Sequence, residues 1–205
     1  MSDEKVTAPR RRYTKRRRAE REDETRRRIT EATVELHGTV GPARTTVSAI
    51  AERAGVQRAT VYRHFPDDRA LFEACSTHWG ARNPLPDTGR WARIADPDAR
   101  LRAGLAELYA WYERTEYMLE RTTRDAAVVE AMRAPVARAA EWLAAAVGLL
   151  AAGRDDDGPG VRAAIGHAVA FDTWRSLVRR QGLAPAAAVD LMARLAGCAA
   201  GRRDP

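Results

Sequence analysis

Hydrophobic positions recur at helical spacing along most of the chain, and nowhere do they alternate with the period of two that a half-buried strand requires. Residues 1–20 are polar and arginine-rich with no apolar period, which predicts a disordered basic arm. A first helix is expected from about Asp23, with Ile29, Ala32, Thr33 and Leu36 on one face and Gly38, Gly41 and Pro42 ending it. Val47, Ile50, Ala51 and Ala54 then fall at i, i+3, i+4 and i+7, with Thr45 or Thr46 as the N-cap. Gly55 supplies a left-handed backbone position after that helix. Val56, Val61 and Phe65 give the next helix, from about Gln57 to Phe65, its apolar contacts, and Pro66 stops it. Asp67 or Asp68 caps a fourth helix through about Trp79.

The remainder is also helical in pattern. The loop from Asn83 to Gly89 (NPLPDTG) is a linker candidate, which predicts one domain over residues 21–81 and a second over 82–205. Asp96 and Pro97 open a helix through about Arg114, with Leu101, Leu105, Leu108 and Tyr112 on one face. A shorter segment runs from Glu116 to about Val129, and Pro135 opens a helix to about Leu150. The GRDDDGPG stretch, 153–160, reads as a solvated turn, followed by helices from Val161 to Arg180 and from Pro185 to Ala200. On the last of these, Leu191, Leu195 and Cys198 look like a bundle seam. With no internal repeat, the fold class is all-α.

Composition sharpens this picture in two places. The net charge of +7 is uneven: between Arg10 and Arg28 stand 11 basic and 4 acidic side chains, beside the helix–glycine–helix segment. Phosphate neutralisation needs such an excess, although a run of charge is also often just solvated. Two distant cysteines, Cys75 and Cys198, give no disulfide framework and point to a reducing, cytoplasmic setting. The N-terminus has no apolar core of a signal peptide, and the longest apolar run, Leu143 to Ala152, is too short to span a bilayer, so no membrane partner is expected.

The segment from Thr45 to Leu71 carries the functional signal. Ala51 stands four residues before Gly55, where a bulkier side chain would hold two helices apart; with the glycine turn and Val61 this describes a helix-turn-helix, whose second helix enters the DNA major groove. The run IAERAGVQRATVYRHFPDDRALFEA, residues 50–74, resembles the amino-terminal domain of TetR-type transcriptional regulators. The resemblance covers residues 25–80 in detail. It implies a three-helix helix-turn-helix DNA-binding domain followed by a larger helical ligand-binding and dimerisation domain.

Carried over position by position, the resemblance implies that Thr46, beside Thr45, opens the second helix and bonds a backbone phosphate. Gln57, Arg58 and Ala59 sit at the head of the recognition helix; there Arg58 reaches guanine, Gln57 reaches adenine, and Thr60 touches a thymine methyl or a phosphate. Tyr62 and His64, with Arg63 between them, match positions that contact phosphates. Arg10, Arg11 and Arg12 belong to an arm for the minor groove or the backbone. Two positions depart from the family pattern: Gln57 replaces a small capping residue, and Asp68 replaces a lysine, with Arg69 as a possible substitute.

In the carboxy-terminal half, aromatic residues gather. Trp111, Tyr112, Met118 and Trp142 are the effector-pocket candidates on the middle helices, and His167, Phe171 and Trp174 form a stripe that reads either as pocket wall or as core and dimer face. The expected partners are therefore a double-stranded DNA operator, a hydrophobic small-molecule effector, and a second copy bound through the last two helices. No cofactor or metal is expected. Cys75 and His78 lack further ligands, Asp155 to Asp157 sit in a turn, and His167 and Asp172 fall on different helix faces, so an enzyme is a remote reading. A nonspecific nucleoid-type protein is the nearer rival to a ligand-responsive repressor.

Overall fold

The computed structural model describes residues 9–154 and 158–200, with the backbone alone at residues 9–12, 14, 15 and 200. Among the described residues there is no strand. The chain divides into two compact units, residues 1–79 and 80–205.

In the first unit, helix α1 (Pro9–Thr39) packs on α2 (Val47–Ala54), and α2 on α3 (Arg58–His64). Their shared core holds Ile29, Ala32, Ile50, Ala51, Ala54, Val61, Phe65 and Leu71, the last from α4 (Asp68–Arg82). Thr46 caps α2, its hydroxyl accepting from the Ala49 amide at 3.1 Å, and Asp67 caps α4 by accepting from the Ala70 amide at 2.7 Å. Gly55 takes φ 64°, ψ 42°, and its amide bonds back to the last turn of α2.

The expected arm over residues 1–20 is corrected by the backbone, which is helical from Pro9; residues 1–8 lie outside the described residues. Extending a helix already nucleated on a core adds a hydrogen bond per residue, and Arg16–Glu20 and Arg18–Glu22 pairs at i,i+4 support it. The absence of apolar period signified a solvated helix, not the absence of one.

The second unit is built on α6 (Pro97–Asp125), which packs against α5 (Thr88–Ala92), α7 (Arg133–Ala151) and α10 (Pro185–Ala200), while α8 (Pro159–Ala168) packs on α7 and α10. Asp96 caps α6 through the Ala99 amide at 2.7 Å. Leu101, Leu105 and Leu108 are fully buried, and Gly104 lets α7 approach so closely that a Cβ there would meet Leu150 at 2.7 Å. The break expected near Arg114 is absent because Thr115 is buried and its hydroxyl bonds to the Trp111 carbonyl within the helix. The linker candidate runs into α5 at Thr88, and that short helix is anchored by Trp91, which is buried and donates to Glu107 at 3.1 Å. The stretch Glu130–Ala151 has the length and apolarity of a single membrane span, with a mean hydropathy of 1.3, so the ten-residue run counted from sequence understates it. Asp155 to Asp157 lie outside the described residues.

Two expectations about the last helices are also corrected. The helix from Val161 to Arg180 is split into α8, a short α9 (Phe171–Trp174) and a π-helical turn, Arg175–Arg180. On α10 the inward residues are Ala188, Val189, Met192, Ala193 and Ala196, whereas Leu195 is 51% exposed and Cys198 is exposed. The stripe of Leu191, Leu195 and Cys198 is therefore not the internal seam.

Cys75 is buried with its sulfur 3.4 Å from Nδ1 of His37, and burial pushes its thiol up to about 12. A thiol held protonated and covered reacts slowly. Titration of the native protein with a thiol reagent is expected to modify Cys198 alone, and Cys75 only after denaturation; rapid reaction of both in native buffer would contradict this burial. A second expectation concerns Gly55, where an added Cβ would lie 2.8 Å from Nη2 of Arg28. Gly55→Ala should cost about 1–2 kcal/mol from its left-handed backbone, with a further loss as Arg28 is pushed from its carbonyl partners. Urea denaturation should then show Gly55→Ala and Arg28→Ala to be less than additive, whereas additivity within about 0.5 kcal/mol would mean the two do not couple.

Candidate nucleic-acid interface

The first unit holds a helix of seven residues whose two sides differ sharply. Val61 and the following Phe65 face the core of α1 and α2, whereas Arg58, Ala59, Tyr62 and Arg63 are exposed at i, i+1, i+4 and i+5 along the other side. Gln57 is the N-cap with no side-chain capping bond, so its amide remains free for other partners. Arg58 and Arg63 make no ion pair among the described residues. The outward face of α3 thus offers positive charge, a phenol that is 49% exposed and an uncommitted amide.

What holds α3 in place comes from α1. Arg26 donates to the His64 carbonyl at 2.6 Å and lies over the Phe65 ring at 4.1 Å. Two residues on, Arg28 donates to the carbonyls of Ala54 and Gly55. Each guanidinium caps the carboxy-terminal end of one helix of the helix-turn-helix, where carbonyls lack partners and the helix dipole favours a cation. Arg53 of α2 pairs with Glu35 of α1 at 2.6 Å and closes the third side. Part of the basic cluster that reads from sequence as phosphate-binding is therefore engaged in assembling the unit.

The other sequence-derived residues fall as follows. Thr60 is half-buried, and Thr46 is exposed with its hydroxyl engaged as a cap. Thr45 donates to the Gly41 carbonyl at 2.9 Å. Nε2 of His64 is buried without a partner, and desolvation, followed by the charges of Arg63 and Arg26, holds the imidazole below its usual pKa. A neutral ring leaves Nδ1 as its remaining polar atom. The side chains of Arg10, Arg11 and Arg12 lie outside the described residues. Arg44, exposed and unpaired among the described residues two positions before Thr46, joins the same set; a basic residue just ahead of a threonine cap was the available signal. Arg69, one residue beyond Asp68, is exposed and likewise unpaired among the described residues.

In the second unit, Trp111, Tyr112, Phe171 and Trp174 form one aromatic cluster. Tyr112 lies 5.6 Å from Trp111, 5.4 Å from Phe171 and 5.9 Å from Trp174, between ring centroids. Met118 is buried further along α6, and Trp142 meets Trp91 at 6.1 Å instead. His167 is exposed, with its ring 3.3 Å from the Thr173 hydroxyl rather than against Asp172. The stripe of His167, Phe171 and Trp174 does not survive as one helix face, because the helix carrying it is broken after Ala168.

Comparison with known proteins places these features. The family model described as bacterial regulatory proteins, tetR family, matches residues 29–75, the segment containing α2 and α3. No curated protein matches the chain. Among solved structures, a TetR-like transcriptional regulator from Rhodococcus sp. RHA1 superposes with a TM-score of 0.63 at 20% identity, covering 87% of this chain and 97% of that one. The multidrug binding protein EbrR, solved with imidazole, has a TM-score of 0.54 at 28% identity and covers 83% and 93%. NalD, the secondary repressor of the MexAB-OprM multidrug efflux pump in Pseudomonas aeruginosa, has a TM-score of 0.55 at 22% identity and covers 89% and 98%. The amino-terminal segment is thus a helix-turn-helix of the type described by the tetR family model, and over most of its length the chain shares the all-helical fold of solved TetR-like transcriptional regulators.

Proposed function

We propose that this chain is a ligand-responsive repressor that binds a palindromic operator as a homodimer. The observation that carries the reading is the outward face of α3, where Arg58, Ala59, Tyr62 and Arg63 stand free of ion pairs among the described residues, on a helix clamped from behind by Arg26. Arg58 at the head of α3 has the fork geometry for guanine O6 and N7, and Gln57 has the amide for adenine. Tyr62 and Arg63, a turn later, set register against phosphates. Thr46, Arg44 and the basic length of α1 from Pro9, including Arg10 to Arg12, add backbone contacts without sequence preference.

A palindrome needs two copies of α3 about one turn of DNA apart. The outward stripe of Leu191, Leu195 and Cys198 on α10, next to α8, supplies an apolar face for that pairing. The effector reading rests on the aromatic cluster of Tyr112, Phe171 and Trp174, with EbrR and NalD as fold relatives named for multidrug binding and for repression of an efflux pump. A ligand favouring one spacing of the two recognition helices would shift operator affinity by its differential binding.

The decisive experiment is a gel-shift titration against the intergenic DNA beside the chain's own gene, with excess nonspecific competitor at near-physiological salt. A discrete complex that survives competition is expected; only smeared, competitor-sensitive binding on operator libraries as well would favour a nonspecific nucleic-acid binder. On the operator so found, Arg58→Ala should cost about 1–3 kcal/mol and relax preference at one base position. Tyr62→Phe should weaken binding alike on all sequences, and a base-selective effect would remove Tyr62 from the phosphate contacts.

A further inference from the structure

Most buried polar groups in the second unit have partners. The Tyr109 hydroxyl donates to the Ala168 carbonyl at 2.9 Å and the Tyr112 hydroxyl to the Val169 carbonyl at 2.5 Å. The Trp91 indole donates to Glu107 and the Trp111 indole to the Asn83 carbonyl, each at 3.1 Å. Trp174 is the exception among these aromatic donors. Its side chain is fully buried and Nε1 has no acceptor among the described residues. A buried N–H without a partner is uncommon enough to require a reason.

We propose that Trp174 is the hydrogen-bond donor of a ligand-recognition site for a flat, uncharged aromatic molecule carrying an acceptor atom in its ring. This rests on the effector reading above and adds to it the ligand's chemistry. Phe171 stacks on Trp174 with centroids 5.5 Å apart at 27° and meets Tyr112 edge-on at 5.4 Å. It is the half-exposed member of this trio, whereas Tyr112 and Trp174 are buried. A planar ligand entering here displaces the Phe171 side chain and meets the indole at its edge, its in-plane ring acceptor in line with the in-plane N–H, with Tyr112 as the adjoining aromatic wall.

The backbone favours the same position. Phe171 opens α9 directly after the break at Ala168, and the π-helical turn begins at Arg175, immediately after Trp174. π-Helical turns are rare and concentrate at functional sites. Charge at the rim argues for a neutral occupant. Arg175 lies 5.6 Å from the Phe171 ring and Arg179 lies 5.0 Å from the Trp174 ring. Both are already paired, Arg175 with Asp172 and Glu120, Arg179 with Glu113 and Glu116. An ionic ligand would find no unpaired counter-charge among these groups. Nor are the tyrosine hydroxyls available, since both hold the end of α8. One donor therefore sets polarity, and the walls set shape.

Quinoline and naphthalene separate these contributions, being nearly the same size and differing in a ring nitrogen; quinoline is uncharged at pH 8. Each is titrated into the full-length protein labelled with nitrogen-15 while the indole N–H signals are followed. The Trp174 signal is assigned by its loss in Trp174→Phe and, independently of any variant, by contacts to the Phe171 ring. Quinoline is expected to move the Trp174 proton downfield and to bind roughly five- to tenfold more tightly than naphthalene, as one net hydrogen bond allows. Naphthalene should leave that proton near its free position. Equal binding of both, with the Trp174 signal unmoved, overturns the assignment while leaving a hydrophobic effector intact. Binding of neither also overturns it, and the effector reading is then judged separately, by whether any small molecule releases the operator complex in the gel shift.

Discussion

Helix ends are the points on which this molecule depends. An all-helical chain leaves several carbonyls without partners at each carboxy terminus, and here many of those ends are closed by side chains reaching in from a longer helix. Arg26 and Arg28 of α1 close α3 and α2. Arg100 of α6 donates to the carbonyls of Ile94 and Ala152, beyond the ends of α5 and α7. Tyr109 and Tyr112 of the same helix close α8. The two longest helices thus act as spines, each fixing where its shorter neighbours stop. Apolar burial holds the layers together without direction, and these polar contacts supply the register.

This arrangement links stability to function in the first unit. The outer face of α3 carries no core residue, so its orientation comes entirely from Val61 and Phe65 behind it and from Arg26 across its last turn. Arg26 stacks on Phe65 while donating to the neighbouring carbonyl, a double task suited to a planar guanidinium and not to an ammonium. The bias of 33 arginines to 2 lysines accordingly has structural content at these positions.

What the sequence disclosed follows the range of the interactions concerned. The caps at Thr46, Asp67 and Asp96 and the turn at Gly55 act within four residues, so the pattern shows them directly. The break after Ala168 does not show, because Ala168, Val169 and Ala170 include no glycine or proline. Its cause is two tyrosines nearly sixty residues earlier. The seam of α10 was displaced by one position for a related reason. An alanine-rich helix has apolar residues on several faces, and which face turns inward depends on α6 and α8. The basic cluster was legible as charge, but which of its arginines turn inward to cap carbonyls is set by how α1 lies across α2 and α3. For the outward residues of α3 the sequence was more informative, since exposure at Arg58, Ala59, Tyr62 and Arg63 follows from helical phase once Val61 and Phe65 are placed inward.

The early start of α1 alters what its basic segment would contribute to any encounter with a polyanion. A disordered tail gives up conformational freedom when it binds, so part of its charge attraction is offset and the event carries the heat-capacity signature of coupled folding. A segment already helical from Pro9 has lost that freedom beforehand. At about 1.5 Å per residue, it also holds its charges at fixed separations along a rod. Its association should therefore look like the docking of a rigid body, dominated by counterion release, with little ordering of the chain.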